Sequence, residues 1–455
     1  MNSKQGQRIS LTESLCPQCL SKIPAELLLV GHEVYLSKTC PAHGDYATVV
    51  WRGQPSLTDW LRVKIPYSNP APNTITENGC PFDCGLCPQH AQQTCTALLE
   101  VTKRCNLNCA YCFANSVPTP SIDPELSTIR KWYETLLSSG RVCNVQLSGG
   151  EPTMRDDLTE VIAIGKQLGF DFIQLNTNGL RLAFDKDYAS SLKAAGLSSV
   201  FLQFDGTSPE IYLNLRGRDI YDDKLEAIRN CWQNGLSVTL VPTLVPGVNT
   251  DDVGNILRFA AERLEVVRGV HFQPVSYFGR YPSGTHCDER LTLPELMKMI
   301  EVQTSGAIRM ENFLPPGCEN SMCSFHGNFV LMPNGELAPL TRIDSFKRLT
   351  EPELAETGAK KAREFVSRNW SQRSLQEDTS AECGINFGYW ETLLSRSRTH
   401  LLCISAMAFQ DVWNLDLNRL RECCIHVVAE SGKIVPFCAY NLTSADGHYL
   451  YRGGG

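Results

Sequence analysis

Cys105-Asn-Leu-Asn-Cys109-Ala-Tyr-Cys112 places three thiols at a C-x3-C-x2-C spacing just after the apolar run Ala97 to Val101. Three soft thiolates on one short loop can hold three irons of a [4Fe-4S] cluster and leave the fourth iron without a protein ligand. A structural zinc site or a closed cluster is the alternative that spacing alone leaves open. Further on, Val145-Gln-Leu-Ser-Gly-Gly-Glu-Pro152 ends another apolar run in a glycine pair followed by a carboxylate. Gly149 and Gly150 let backbone approach a ligand closely, and Glu151 favours an ammonium group beside it.

The thiol triad with Tyr111 before its last cysteine, followed in order by Gly149-Gly-Glu-Pro152, resembles the radical S-adenosylmethionine (SAM) superfamily. The resemblance implies that Cys105, Cys109 and Cys112 carry the catalytic cluster while the amino and carboxylate groups of SAM chelate its open iron. Reductive cleavage of SAM then gives methionine and a 5'-deoxyadenosyl radical that takes a hydrogen atom from substrate. The protein's share of that chemistry is placement and exclusion of water. SAM contacts are implied for Tyr111, Gly149, Gly150 and Glu151, and for Val248 within Val241-Pro-Thr-Leu-Val-Pro-Gly-Val-Asn249, the segment that resembles an adenine-packing fifth strand. Asn178, in Asn176-Thr-Asn-Gly179, and Gln203 and Asp205, in Gln203-Phe-Asp-Gly206, end the third and fourth strands, where barrel ligands are expected. They are candidates for SAM ribose, methionine carboxylate or substrate, with turn formation and capping as the alternative.

Between Ala97 and about Ser276 short apolar runs alternate with helical patterns. Strands are expected at Leu98 to Val101, Val145 to Leu147, Phe172 to Leu175, Val200 to Phe204, Val238 to Leu244 and Val270 to Val275. Helices are expected at Pro124 to Leu137, Asp156 to Leu168, Tyr188 to Ala195, Asp223 to Trp232 and Asp251 to Leu264, several opening on an aspartate cap. Such alternation means the α/β class with a parallel sheet, and the resemblance makes it a partial (β/α)6 radical SAM barrel. We expect a small Cys/His metal-binding module over 1–66, an auxiliary cluster segment over 67–96, the barrel over 97–285 and a C-terminal auxiliary-cluster and substrate domain over 286–455. A linker with Pro66, Pro70 and Pro72 leads out of the first module. Beyond the barrel, Leu293 to Ile300 reads as helix, Gly327 to Leu340 as a hairpin about Pro333-Asn-Gly335, and the rest as irregular.

Twenty cysteines in 455 residues is high for a reducing compartment, yet below the ~8 to 10% of a disulfide scaffold, so clusters of them read as metal ligands. Cys16-Pro-Gln-Cys19 and Cys40-Pro-Ala-His43 form two knuckles fit for one tetrahedral ion, zinc or a mononuclear iron. Cys80-Pro-Phe-Asp-Cys84-Gly-Leu-Cys87 repeats the triad spacing. Cys95 would complete it as a closed auxiliary [4Fe-4S] cluster, with His90 as the rival ligand and zinc as the alternative metal. Cys318, Cys323 and Cys438 are taken for a further auxiliary cluster from a set that also holds His326, Cys383, Cys403, Cys423, Cys424 and His426. Cys287 stands at the head of that set. Cys143 and Cys231 sit in apolar contexts and read as buried hydrophobes.

The Cys/His knuckles, Gly79-Cys-Pro-Phe-Asp-Cys-Gly-Leu-Cys-Pro-Gln-His90 and the triad, in that order, resemble the tetraether lipid synthase-like branch of radical SAM proteins. That resemblance implies carbon-carbon bond formation or methyl transfer on a lipid or small molecule, with an external low-potential donor such as ferredoxin or flavodoxin. A peptide-modifying enzyme is the alternative within the superfamily, and a non-catalytic multi-cluster electron carrier the alternative outside it. Arg216, His271, Tyr277 and Arg280 stand where substrate-facing residues are expected. A net charge of -7 without basic blocks gives no footprint for nucleic acid. No apolar run approaches the ~18 residues of a membrane span, and the polar stretch Met1 to Ser14 lacks a signal-peptide core. The cytoplasm is the expected location.

Overall fold

A computed structural model describes residues 6–69, 74–116, 118–140, 143–282, 289–342, 352–371 and 388–452. Pro70, Pro72, Cys287 and Cys383 lie outside the described residues.

The first strands, β1 (Gln7–Leu15), β2 (Lys22–Val30), β3 (Glu33–Cys40) and β4 (Gly44–Arg52), form an antiparallel meander in sequence order. Its two metal knuckles are the β1–β2 and β3–β4 connections. The meander is fastened to a distant part of the chain. Lys38, buried, donates from Nζ to the carbonyls of Leu15 (2.9 Å) and Val412 (2.6 Å), and the Ser14 hydroxyl donates to the Leu415 carbonyl at 2.6 Å. A short strand, β5 (Lys64–Ile65), follows.

The core strands are β6 (Thr96–Thr102), β7 (Asn144–Gly149), β8 (Ile173–Thr177), β9 (Ser199–Gln203), β10 (Ser237–Val241), the two-residue β11 (Thr243–Leu244) and β12 (Val267–Pro274). All successive neighbours pair in parallel, as expected from the β and α alternation. β10 is buried at every residue, in keeping with a parallel strand covered on both faces. The run expected as one strand from Val238 to Leu244 breaks into β10 and β11 at Pro242, whose nitrogen carries no hydrogen for a ladder bond. Helices cover the outside through apolar stripes of helical period: Leu126–Ser138 buries Ile129, Trp132, Tyr133 and Leu136. The aspartates expected to open helices, Asp156, Asp223 and Asp251, are not the capping residues: Asp157, Ile220 and Asp252 stand there, none with a side-chain cap bond, and the Asp157 carboxylate accepts from Arg155 at 2.8 and 2.7 Å.

The later chain is less irregular than its sequence suggests. It supplies β13 (Ser324–Leu331), β14 (Leu337–Pro339), β15 (Glu353–Leu354), β16 (Leu401–Met407), β17 (Ile425–Val428) and β18 (Ile434–Pro436). The β13–β14 hairpin turns at Gly335, as expected, with φ 84°. β16 extends the core sheet in parallel beyond β12, and β17 extends it in parallel beyond β6. The sheet order is therefore β14-β13-β16-β12-β10-β9-β8-β7-β6-β17-β18. Both edges of the six-stranded core are closed by strands from beyond residue 400, so the tail is built into the core sheet. Its signal was legible: Leu401-Leu-Cys-Ile-Ser-Ala-Met407 is an apolar run of strand length. Among the described residues no helix is long and apolar enough to cross a membrane.

Candidate active site

The triad loop leaves the carboxyl end of β6 and is fixed by two neighbours. On one side the Gly149–Glu151 turn lies against it: Gly150 N–H donates to the Thr102 carbonyl and Glu151 N–H to the Arg104 carbonyl, each at 2.8 Å. A Cβ on Gly149 would stand 2.2 Å from the Thr102 oxygen, and one on Gly150 2.1 Å from the Arg104 oxygen. The glycines are thus required first by the backbone of the triad loop. On the other side Arg280 exchanges backbone hydrogen bonds with Cys112 at 2.9 Å both ways, and its guanidinium donates to the carbonyls of Cys109 (2.8 Å) and Ser116 (2.9 Å). Arg280, expected to face substrate, positions the triad instead.

Cys109 is buried, and Cys105 and Cys112 are half-buried. Burial pushes the Cys105 thiol up to about 12, so it stays protonated until a metal compensates its charge. Three thiols on one loop facing a cavity, with a backbone turn too close-fitted for any side chain, suit an iron-sulfur cluster with one open iron.

Several residues expected at the cofactor are engaged elsewhere. The Glu151 carboxylate accepts from the Thr153 N–H (3.1 Å) and hydroxyl (2.6 Å), the Thr177 hydroxyl (2.7 Å) and the Asn178 N–H (2.7 Å). It therefore knits the ends of β7 and β8 together rather than standing free for an ammonium group. Asp205 is fully buried and grips the equally buried Arg216 in a bidentate pair at 2.7 and 2.5 Å. Val248 packs with Ile211, Leu215, Val245 and Tyr277. Tyr277, expected to face substrate, is buried there and donates its hydroxyl to the Glu289 carbonyl at 3.2 Å. Tyr111, Gly149, Gly150, Glu151, Asn178, Gln203 and Arg216 do line the cavity in front of the triad. Asn178 donates to the Asn106 side chain at 2.7 Å, which ties the end of β8 to the triad loop.

Lys224 was not singled out by its sequence context. It is fully buried, donates to the Asn178 carbonyl and stands 3.4 Å from Gln203 Oε1. Burial pulls its pKa from 10.5 to about 8. Between those values the unfolded chain holds a proton that the folded chain has shed, so stability rises with pH across that window, by at most about 1.4 kcal/mol per unit. Urea midpoints at pH 7.5, 9 and 10 should show this rise in the wild type and lose that part of it in Lys224→Met; equal slopes would contradict it.

The cavity of about 620 Å3 runs from the triad through the interior of the sheet. Its walls carry amides from β7, β8, β9 and β12 (Gln146, Gln174, Asn176, Gln203, Gln273) and the side chains of Phe172, Phe201 and Trp370. Gln146 donates to Gln174 at 2.7 Å, whereas Asn176 Oδ1 is buried without a hydrogen-bond partner. His271 also lines the wall, its Nδ1 2.8 Å from the Ser405 hydroxyl, and burial pulls its pKa down to about 4, which keeps it neutral.

The other cysteines regroup. Cys16, Cys19, Cys40 and His43 converge as expected, with Cys16 Sγ and Cys40 Sγ each 3.5 Å from His43 Nδ1 and the Cys19 and Cys40 sulfurs 3.9 Å apart. A hydrogen bond with Ser21 helps hold the Cys19 thiol down to about 6. Cys80, Cys84 and Cys87 are buried on one loop, and the Tyr451 hydroxyl accepts from Cys84 N–H at 3.0 Å. Cys95 does not complete that set: it lies with Cys318 and Cys424, because the residue before β6 sits beside the residue before β17. His90 is no free ligand either, since its Nε2 is 2.9 Å from the Cys423 carbonyl and 3.1 Å from His426 Nε2. Cys318, Cys323 and Cys438 do not form one group. Arg419 Nε donates to Cys323 Sγ at 3.0 Å, and Gln410 N–H to Cys438 Sγ at 3.3 Å. Cys143 and Cys231 are buried, and burial raises both thiols to about 12.

Two family models match the chain, the radical SAM superfamily over residues 99–260 and the HMPTM N-terminal zinc ribbon domain over residues 8–52. The 7,8-dihydro-6-hydroxymethylpterin dimethyltransferase of Methanocaldococcus jannaschii is 36% identical over 470 residues, spanning 94% of this chain and 93% of that protein. A probable GTP 3',8-cyclase of Methanothermobacter thermautotrophicus is 28% identical over 215 residues, 47% of this chain and 69% of that protein. The solved structure of Streptococcus suis SuiB superposes with TM-score 0.39 at 15% identity, over 47% of this chain and 46% of SuiB.

Proposed function

Because the chain belongs to the radical SAM family that includes 7,8-dihydro-6-hydroxymethylpterin dimethyltransferase, we propose that this radical SAM enzyme methylates a reduced pterin. The observation that carries this reading is the row of amides, Gln146, Gln174, Asn176, Gln203 and Gln273, that shares the cavity with the rings of Phe172, Phe201 and Trp370. A pterin offers a flat ring for Phe172, Phe201 and Trp370, and an edge of ring nitrogens, amino group and carbonyl for the amides. Phe201 and Trp370 already stack with centroids 5.8 Å apart.

Cys105, Cys109 and Cys112 would hold a [4Fe-4S] cluster, which together with SAM would supply one-electron radical chemistry. The chain's own part is geometric. Arg280 and the Gly149–Glu151 turn fix the triad loop, Asn178 couples that loop to β8, and Gln203 lies between Arg216 and Lys224. Strands β16 and β17 extend the sheet and contribute residues to the cavity wall. The Cys/His knuckles suit zinc, their sulfurs standing near the ~4 Å that tetrahedral Zn–S bonds of about 2.3 Å require. Cys80, Cys84 and Cys87 suit an auxiliary cluster. A ferredoxin or flavodoxin in a reducing cytoplasm is the fitting electron donor.

The test is anaerobic turnover of the reconstituted chain with dithionite, SAM, a methylene-folate and 7,8-dihydro-6-hydroxymethylpterin, followed by mass spectrometry. One or two methyl masses should appear on the pterin, and labelling SAM and a methylene-folate donor in turn identifies the methyl source. A place in the tetraether lipid synthase-like branch predicts an unchanged pterin in that assay and coupling of lipid chains when a lipid substrate replaces the pterin.

A further inference from the structure

The Cys/His ribbon docks on the rest of the chain through residues that neighbour its own metal ligands. Ser14 and Leu15 directly precede Cys16, Pro17 directly follows it, and Lys38 and Tyr46 lie just outside Cys40 and His43. Lys38 Nζ and the Ser14 hydroxyl reach the carbonyls of Val412 and Leu415, and the Tyr46 and Trp413 rings meet with centroids 6.1 Å apart. The Pro17 carbonyl, inside the first knuckle, accepts from the Ala445 N–H at 2.7 Å.

The segment that receives the ribbon holds in turn the chain that leaves β12. The Asp411 carboxylate, fully buried, accepts from the Tyr277 N–H at 2.8 Å, from both terminal nitrogens of Arg290 at 2.8 Å and from the Trp413 N–H at 3.0 Å. Beside it the Ser276 hydroxyl donates to the Phe409 carbonyl at 3.0 Å. The Thr443 hydroxyl, close to Ala445, accepts from the Gly279 N–H at 3.1 Å. Gly279 has φ 62°, and a Cβ there would stand 2.4 Å from the Cys112 oxygen. The next residue is Arg280, whose bonds to Cys109, Cys112 and Ser116 fix the triad loop. One short route from the ribbon to the triad therefore runs through Lys38, Val412 and Asp411. Another runs through Pro17, Ala445 and Thr443.

Little besides a metal keeps the ribbon's docking face in order. The buried core around the knuckles consists of Cys16, Ile23 and Cys40 with Tyr46 against it, so most of that core is made of ligands. In so small a module, metal binding supplies folding free energy. The knuckles are thus an element with two conditions, ordered with metal and loosened without, joined to the triad by contiguous packing and hydrogen bonds.

We propose that the ribbon is a metal-dependent brace for the radical site: an ion held by Cys16, Cys19, Cys40 and His43 fixes, through Lys38 and Asp411, the Tyr277–Arg280 segment that clamps the triad loop. Lys38 and Asp411 are positioning residues, acting on the triad through Arg280. The proposal holds whether or not the substrate is a pterin.

The experiment is hydrogen–deuterium exchange, read by mass spectrometry, on the full chain reconstituted anaerobically with iron, sulfide and zinc. Wild type is compared with Cys19→Ser, which removes the exposed ligand, and with Lys38→Met, which keeps all four ligands and breaks the contact to Val412. Zinc counting should find the ribbon ion absent from Cys19→Ser and present in Lys38→Met. In both variants the amides of Cys109 to Cys112 and of Tyr277 to Arg280 should exchange about tenfold faster, the factor that one lost hydrogen bond carries. The amides of β10 should keep their wild-type rates. The reduced cluster should also need about tenfold more SAM to complete its change in electron paramagnetic resonance, a readout that a general role in stability would not move. Wild-type exchange at the triad and Arg280 amides in zinc-free Cys19→Ser or in Lys38→Met overturns the proposal. So does an equal acceleration in β10.

Discussion

Cys109→Ala is expected to abolish 5'-deoxyadenosine formation. The residue is the buried middle thiol of the triad, and its carbonyl anchors the Arg280 guanidinium at 2.8 Å. Alanine keeps the backbone contact and deletes the sulfur, so the loop stays in place with two ligands where three irons need three. Dithionite and SAM with the reconstituted wild type should give a chromatographic 5'-deoxyadenosine peak. The variant should give none and should carry about one cluster less iron, while Cys231→Ala, which removes a packed thiol in a helix far along the sequence, should retain the peak. Persistent product in Cys109→Ala would dissociate the triad from SAM cleavage.

Asp205→Ala has the largest expected effect on stability. Removing the carboxylate leaves the Arg216 guanidinium buried with its charge uncompensated, and takes away the acceptor of the Thr243 N–H at 3.2 Å. Breaking a buried pair from one side costs about 3–5 kcal/mol. Replacing both partners by apolar groups leaves no orphaned charge, so Asp205→Leu with Arg216→Met should recover most of the loss. Urea denaturation of the two variants against wild type measures this; a single variant within about 0.5 kcal/mol of wild type, the range of an ordinary surface change, would contradict the burial argument. Arg216 also lines the cavity and reaches towards the Tyr111 carbonyl, so the double variant should regain stability without regaining full activity.

The triad, the glycine turn and the alternating core were legible because each is written in local sequence: a spacing, a turn, a period. The ribbon was legible for the same reason, since Cys16-Pro-Gln-Cys19 and Cys40-Pro-Ala-His43 are two hairpin turns of one small meander. What sequence could not reveal was partnership across long separations. Cys95 follows Cys87 by few residues and was grouped with it on that ground, yet the register of β6 against β17 puts it beside Cys424. Asp205 and Glu151 sit where ligands are expected, and their residue types fit, but a carboxylate at a strand end serves equally to hold an arginine or to collect neighbouring N–H and O–H donors. Lys224 carried no signal at all. Its helix is mostly polar, and only the packing of that helix over the ends of β8 and β9 buries the amine.

The two edge strands carry a consequence for synthesis. β6 emerges from the ribosome early, and its partner β17 emerges only after almost all of the remaining chain; at about 5–20 residues per second that is tens of seconds. Throughout that interval the nascent core presents unpaired strand edges on both sides, the kind of edge that recruits other chains. Chaperone cover during translation therefore matters more for this protein than for a barrel whose strands are consecutive, and a messenger truncated before Leu401 should yield aggregate rather than a smaller active enzyme.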